Sequence, residues 1–537
     1  MAVTCIVPQV SNAGGVMPST NSDHRKQLSA GDSLFLYLER EASPLTIGAA
    51  MEFEGIMRLP ACLEFVKSKL PLIPRYTERL VFPPLNSGYP AWEPDPAFDI
   101  RNHIREITLK HGTEEEFKAV VSDIFSVMLD RNHPLWDLTL MHGLKGNRTG
   151  VLARVHHCLA DGVAGVGIMN VLMDTKPTTT PPPRSKAKVR PTEDDRRDAG
   201  AKLLQQLVTS YLGAIQGMLQ VQKEVLSAAE ILAHAGRSTL EQMLSVAPEI
   251  VMPAERLPFN KLCRGPQKFA WSSLSMKPVL AIKEAAEAKL NDVLLGVMTL
   301  ATRNYAELHN VRLKDRLLRV IIPVNIRGAA DEGELGNRIS FAPVNLPMDI
   351  ADPRRLLEEV KLRTQYVKQT HLAEYVGMAG MLITSLPIPL QALALPYAGL
   401  LPISLSNFIC TNVPGPQVPL YFMGHKMLTW YPHVPIGGEM GVNTAMLTYN
   451  GTVYLGFTID MYAAPDAELF EKLVPEAFAE FCRAFRVSTA AASRPKRVVK
   501  KREPRPKPKS VPVPLEAKAK SPERKEEPVP MAKAATA

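Results

Sequence analysis

The chain has 537 residues, 46% of them hydrophobic, and six scattered cysteines with no CxxC pair. That length accommodates about two or three domains with a large core, while the cysteine pattern argues against a zinc site or a disulfide framework and points to a reducing compartment. The net charge of +9 sits at one end: residues 491–537 hold 14 Lys and Arg against 5 Asp and Glu, which leaves the preceding 490 residues neutral and without a general basic field for nucleic acid.

Residues 1–27 begin MAVTCIVPQV, lack the basic n-region and long apolar core of a secretory signal, and read as a flexible leader. Residues 28–173 form a first globular half. Helix-like stretches at 32–40, 61–70 and 113–129 mix there with short strands at 49–53, 138–144 and 151–155. A glycine-spaced apolar segment, 162–173, reads as a helix. Residues 174–200, DTKPTTTPPPRSKAKVRPTEDDRRDAG, have the prolines and mixed charges of a linker. A helical connection, 201–258, carries Leu204, Val208, Tyr211, Ile215 and Leu219 at helical spacing; it packs on the core or touches a membrane. A second half spans 259–488, with helices at 278–289, 292–308 and 353–369 and strands at 317–324, 406–411 and 452–459. Strands and helices alternate irregularly in both halves, which predicts layered α/β (α+β) domains.

Two further stretches carry composition signals. From Tyr375 to Gly424 there is no Asp, Glu, Lys or Arg, but Pro387, Pro389, Pro396 and Pro402 interrupt every window long enough to span a membrane. This segment reads either as proline-broken core or as an apolar rim for a lipid or a membrane surface. The tail, 489–537, is rich in Pro, Lys and Ala and reads as disordered; it is a solvated segment, an attachment to anionic headgroups, or a nucleic-acid arm that no motif in the body supports.

The chemistry concentrates in His156-His157-Cys158-Leu159-Ala160-Asp161-Gly162, directly after the strand 151–155. An imidazole titrates near neutral pH and can take a proton from a hydroxyl and return it, which is typically worth ~10²–10⁴ in rate. An aspartate in the following turn can hold local geometry, and a glycine permits backbone that a side chain forbids. Adjacent histidines on a strand diverge and HExxH is absent, so metal binding is set aside. Gly162 to Gly167 has the spacing GxxGxG, not that of a dinucleotide loop. Cys158 points away from the face of His157 and reads as packing. No GxSxG supplies a nucleophile elbow.

HHCLADG resembles the HHxxxDG signature of the condensing acyltransferase superfamily, and within it the chain is most similar to the bacterial wax ester synthase/diacylglycerol acyltransferase family. The resemblance extends over most of residues 28–485. It rests on LSAGDSLFLYLE (28–39), WEPDPAFDIRNHI (92–104), Pro134-Leu135-Trp136, Asn291-Asp292, PVNIR (323–327), GNRIS (336–340) and TNVPGP (411–416). The DFGWG element of a plant branch is absent; the comparable region reads MGVNTAMLTYNG.

The resemblance implies two chloramphenicol-acetyltransferase-like halves around an active-site tunnel at their interface. It implies His157 as general base, His156 as its support or a residue shaping the pocket, Asp161 as the loop's orienting group with Arg327 as candidate partner, and Gly162 as the turn. Asn291, Asp292 and Asn412 are expected to line or brace the tunnel. The implied reaction is O-acylation of diacylglycerol or a long-chain alcohol by acyl-CoA, with no metal, no other cofactor and no covalent intermediate. The implied setting is cytoplasmic, at a membrane or lipid-droplet surface. A silent lipid-binding protein on the same scaffold and a carrier-dependent acyltransferase of polyketide or peptide assembly are the alternatives.

Overall fold

Two six-stranded sheets dominate the computed structural model, which describes residues 26–159, 169, 171–177, 252–325, 339–370, 372–384, 386–401 and 404–488. The leader through residue 25, nearly all of the linker and helical connection, and the tail lie outside the described residues, as does most of the helix read at 162–173. In chain order the first stretch gives β1 (Lys26–Gln27), α1 (Ala30–Leu38), β2 (Thr46–Glu54), α2 (Leu59–Lys69), β3 (Glu78–Val81) and β4 (Ala91–Pro94). It continues with β5 (Ile104–Thr108), α3 (Glu114–Phe125), β6 (Trp136–Leu144) and β7 (Arg148–His156). The second stretch gives β8 (Gln267–Ser275), α4 (Met276–Ala285), α5 (Leu290–Leu308), β9 (Leu317–Asn325), β10 (Ile339–Pro347), α6 (Pro353–Gln369), α7 (Leu372–Thr384) and α8 (Ile388–Ala398). Then follow β11 (Phe408–Pro414), β12 (Tyr421–Phe422), β13 (His425–His433), β14 (Val442–Tyr449), β15 (Thr452–Asp460) and α9 (Phe470–Ala484).

Local chemistry explains the boundaries near the site. α1 starts at Ser29, whose Oγ accepts from Asp32 N at 3.0 Å, and ends where Glu39 turns to extended backbone. α3 starts at Thr113, whose Oγ1 accepts from Glu116 N at 3.2 Å, with three glutamates in its first turn facing the helix dipole. It stops at Phe125, short of the 129 that periodicity suggests. Buried Arg154 donates there to the Ile124 and Val127 carbonyls while pairing with Asp137, so the last carbonyls are satisfied from outside the helix.

The first sheet runs β12-β13-β2-β7-β6-β5 and the second β10-β9-β11-β14-β15-β8; a small sheet, β1-β4-β3, stands beside them. Sheet and chain segment do not coincide. β12 and β13 lie between β11 and β14 in sequence, yet β13 pairs antiparallel with β2, from Met427 opposite Phe53 to His433 opposite Gly48. The first sheet is thus completed by a strand from the second stretch. Composition hid this strand: HKMLTWYPH carries two histidines, a lysine and a proline, not a clean alternation. β14 was hidden for the opposite reason. All eight of its residues are buried, so neither face reads as polar. MGVNTAMLTYNG holds β14 and the turn into β15, Asn450-Gly451, both at positive φ.

The sheets meet across a packed seam. α3 covers the open edge of β8: Ser122 Oγ accepts from Phe269 N at 2.9 Å and Ser126 Oγ from Gln267 N at 3.0 Å, which removes a free strand edge. Trp271 stacks on Tyr431 at 4.8 Å and His433 on Phe125 at 3.6 Å. β13 also runs directly over β15 at Gly456, where any Cβ would strike the Pro432 carbonyl and the Phe269 ring. Gly456→Ala should therefore lower stability by about 1–3 kcal/mol through overpacking. Chemical denaturation checks this; an unchanged midpoint would mean that β13 does not depend on this close approach.

Candidate active site

β7 lies between β2 and β6, and its last residue, His156, stands opposite Thr46 of β2. The chain then turns: Leu159 N donates to the His156 carbonyl at 2.9 Å. His156 and His157, adjacent in sequence, enter opposite surroundings, as the alternation of a strand requires.

His156 is completely buried. Its Nδ1 accepts from Cys158 N at 3.1 Å, and its Nε2 lies 3.3 Å from Glu39 Oε2. The accepted bond leaves the ring proton to Nε2, on the side of the carboxylate. Glu39 closes α1 and its side chain is fully buried. Its Oε1 accepts from Leu45 N and its Oε2 from Arg131 Nη2, both at 2.9 Å. Burial alone would raise the Glu39 carboxyl, but the facing His156 ring and the bonds from Arg131 and Leu45 together hold it below its ordinary value.

His157 is densely enclosed yet keeps some exposure. Its backbone N donates to the Leu45 carbonyl at 2.9 Å, and its ring lies flat on Phe35 at 3.9 Å with 8° between planes. Burial pushes the imidazole down to about 4, with neighbouring His156 acting in the same direction. The ring is consequently neutral at pH 7, the state in which an imidazole accepts a proton. Cys158, by contrast, is buried, and its thiol is pushed well up by burial and by the charges of Asp32 and Glu39, which keeps it from being a thiolate.

The other expected residues divide. Asp161, Gly162 and Arg327 lie outside the described residues. Asn291 and Asn412 do meet: Asn412 Nδ2 donates to Asn291 Oδ1 at 3.4 Å, linking α5 to β11. Asp292 is buried and accepts from Lys289 N and Thr364 Oγ1, each at 2.9 Å, so it caps α5 and ties it to α6. Leu135 and Trp136 are core residues; the Leu135 carbonyl accepts from His156 N at 3.0 Å. A cleft of about 400 Å³ bordered by His103, Asp130, His133, Trp136 and Arg154 does not include His157.

Sequence reasoning passed over Phe35, Glu39 and Arg131. Phe35 and Glu39 stand inside LSAGDSLFLYLE, where an aromatic on an apolar helix and a charge after it look like core and solvated cap. Only the β2–β7 pairing brings them to the histidines.

The turn after β7 carries an imidazole that burial keeps neutral at pH 7, backed by the buried Glu39 carboxylate and its Arg131 partner, with no thiolate beside it. Cys158→Ala should retain activity within about twofold, since a buried neutral thiol is not a nucleophile. Near-complete loss, measured on an esterification substrate, would put the thiol into the chemistry.

The catalytic-domain model of wax ester synthases and diacylglycerol acyltransferases matches residues 28–294, and the C-terminal-domain model of the same family matches 335–481. A probable diacylglycerol O-acyltransferase of Mycobacterium tuberculosis is 26% identical over 484 residues, covering 89% of this chain and 98% of its own. The O-acyltransferase WSD of Acinetobacter baylyi is 26% identical, covering 81% of this chain and 92% of its own. The solved wax ester synthase/diacylglycerol acyltransferase of Marinobacter aquaeolei superposes with a TM-score of 0.60 at 21% identity, over 86% of this chain and all of that one. A starter condensation domain of rhizomide synthetase, solved with C8-CoA and Leu-SNAC, gives 0.55 at 13% identity, over 86% of this chain and 95% of that one. At these identities the two structures speak for the fold alone, a mixed α/β arrangement of two sheet-rich halves.

Proposed function

Because the chain belongs to the wax ester synthase/diacylglycerol acyltransferase family, we propose that it moves a long-chain acyl group from coenzyme A to diacylglycerol or a long-chain alcohol, with His157 as the base. It is an O-acyltransferase; the silent lipid-binding and carrier-dependent readings are not favoured beside relatives named for acyl transfer to oxygen. One observation carries the assignment of the base: an imidazole on the turn after β7, stacked flat on Phe35 and held at its amide by the Leu45 carbonyl.

The steps follow from the neutral state of that ring. The His157 imidazole takes the proton of the acceptor hydroxyl as its oxygen attacks the thioester carbonyl. The tetrahedral intermediate collapses, the C–S bond breaks, and the leaving thiolate recovers the proton from the imidazolium. Atoms balance with no residue acylated, in keeping with the lack of GxSxG and of an activated Cys158. The Phe35 ring stacked on His157 keeps bulk water off one face and limits imidazole rotation. The structure of a condensation domain with C8-CoA supports a coenzyme A thioester as donor on this fold.

The acceptor's apolar nature fits a surface feature. No helix among the described residues is long and apolar enough to cross a membrane. Yet α8 and the turn after it present Leu390, Leu393, Tyr397, Leu401 and Leu405 to solvent, Leu393 at 68% and Leu401 at 56% exposure. Buried Gln391 pins the helix by donating to the Thr384 and Leu386 carbonyls at 2.9 and 2.6 Å. α8 packs on α1, the helix that carries Phe35. A charge-free apolar face one helix from the base, in a chain with a +9 tail, favours peripheral contact with an anionic membrane or lipid-droplet surface.

Purified protein with labelled palmitoyl-CoA should esterify diacylglycerol or hexadecanol, and His157→Ala should lose ~10²–10⁴ in kcat; normal turnover by that variant would remove His157 from the role. Leu393→Asp with Leu401→Asp should abolish flotation with anionic liposomes. Deletion of 491–537 should weaken it at low salt only; unchanged flotation in both would refute surface attachment.

A further inference from the structure

We propose that Glu39 is the positioning residue of the base, acting through two arms, one of hydrogen bonds and one through the facing His156 ring, that hold the His157 turn from both sides. The inference rests on His157 as the base. The first arm runs through the backbone: Leu45 N donates to Glu39 Oε1 at 2.9 Å, and the Leu45 carbonyl accepts from His157 N at 2.9 Å. The second runs through the neighbouring ring: Glu39 Oε2 faces His156 Nε2 at 3.3 Å, and His156 Nδ1 accepts from Cys158 N at 3.1 Å. The two arms meet the chain on either side of His157, at its own amide and at the next. A single carboxylate thereby fixes the backbone from which the base projects.

Burial of that carboxylate makes sense only with its counter-ion. Arg131 Nη2 donates to Glu39 Oε2 at 2.9 Å and to the Leu36 carbonyl at 2.8 Å, which ties the end of α1 to the same group. The Glu39 side chain has no exposure, so water cannot replace a lost partner. The pocket offers it two hydrogen-bond donors, Leu45 N–H and an Arg131 N–H, and sets His156 Nε2 against it at 3.3 Å. An amide in its place would turn its own N–H₂ toward one of these donors, and His156 would have to move its proton to Nδ1, against the Cys158 N–H. The first histidine of the pair thus acts as a spacer of fixed tautomer between carboxylate and turn.

Glu39→Gln keeps the volume and removes the charge and one acceptor. In the folded variant kcat should fall ~10–100-fold with KM for acyl-CoA within about twofold, as expected for a misplaced but chemically intact base. The ¹⁵N signature of the His156 ring should leave the Nε2–H tautomer, a change that loss of stability alone would not produce. In a His157→Ala background the same substitution should add less than about threefold, because the group it positions is gone. Wild-type kcat in folded Glu39→Gln, or an unchanged His156 spectrum, would overturn the proposal. Active His157→Ala would instead overturn the base, with the spectral change in His156 still telling whether Glu39 holds the turn. If Glu39→Gln does not fold, Glu39→Asp, charged but one methylene too short to reach both arms, is read by the same kcat, KM and spectral criteria.

Discussion

The pairing of β13 with β2 is the constraint on which the rest of this structure depends. β2 has β7 on its other side, and β7 delivers His156 and His157. Without β13, β2 would be an edge strand, with its amides and carbonyls open along the side away from β7. The donated strand therefore stiffens the sheet that aims the base, and its own residues are locked at the seam: Tyr431 against Trp271, His433 against Phe125, Pro432 over Gly456. α3 returns the favour by covering β8 with the hydroxyls of Ser122 and Ser126. Each sheet completes the other, so the site belongs to the whole fold and not to one stretch of chain.

From that frame follows the division of labour between adjacent histidines. The strand end sends His156 inward to a carboxylate with its own guanidinium partner, and the turn sends His157 onto Phe35. The inner ring is held by a hydrogen bond from the Cys158 amide and by the facing Glu39 carboxylate; the outer ring lies stacked on Phe35 and is fixed through its backbone amide. The outer ring is also the one that burial keeps neutral at physiological pH.

How much of this was legible follows from the range of each interaction. The histidine pair, the strand before it and the helices at 353–369 and 292–308 show in local pattern, because composition and period act over a few residues. Asn291 and Asn412 were grouped through the resemblance and do touch. Asp292 was assigned to the tunnel's surroundings, and its described bonds are those of a helix cap. Glu39, Arg131 and Phe35 were illegible because their meaning arises from strand pairing between distant segments; locally they look like a cap, a surface charge and a core ring. β13 was illegible because its sequence lacks alternation, and the outward leucines of α8 because an apolar run looks the same whether it faces core or lipid.

The central claim is a base kept neutral by enclosure, and the acid limb of kcat/KM for hexadecanol acylation tests it most directly. The folded imidazole takes its proton near 4, whereas an unfolded one does so near 6.5, so acidification between those values also draws the chain toward unfolding. Folding must therefore be followed by circular dichroism at each pH. The account predicts that, wherever the chain stays folded, activity persists through pH 6.5 and declines with an inflection near 4. An inflection near 6.5 in folded protein would contradict it, by showing a base exposed to solvent as in an unfolded chain.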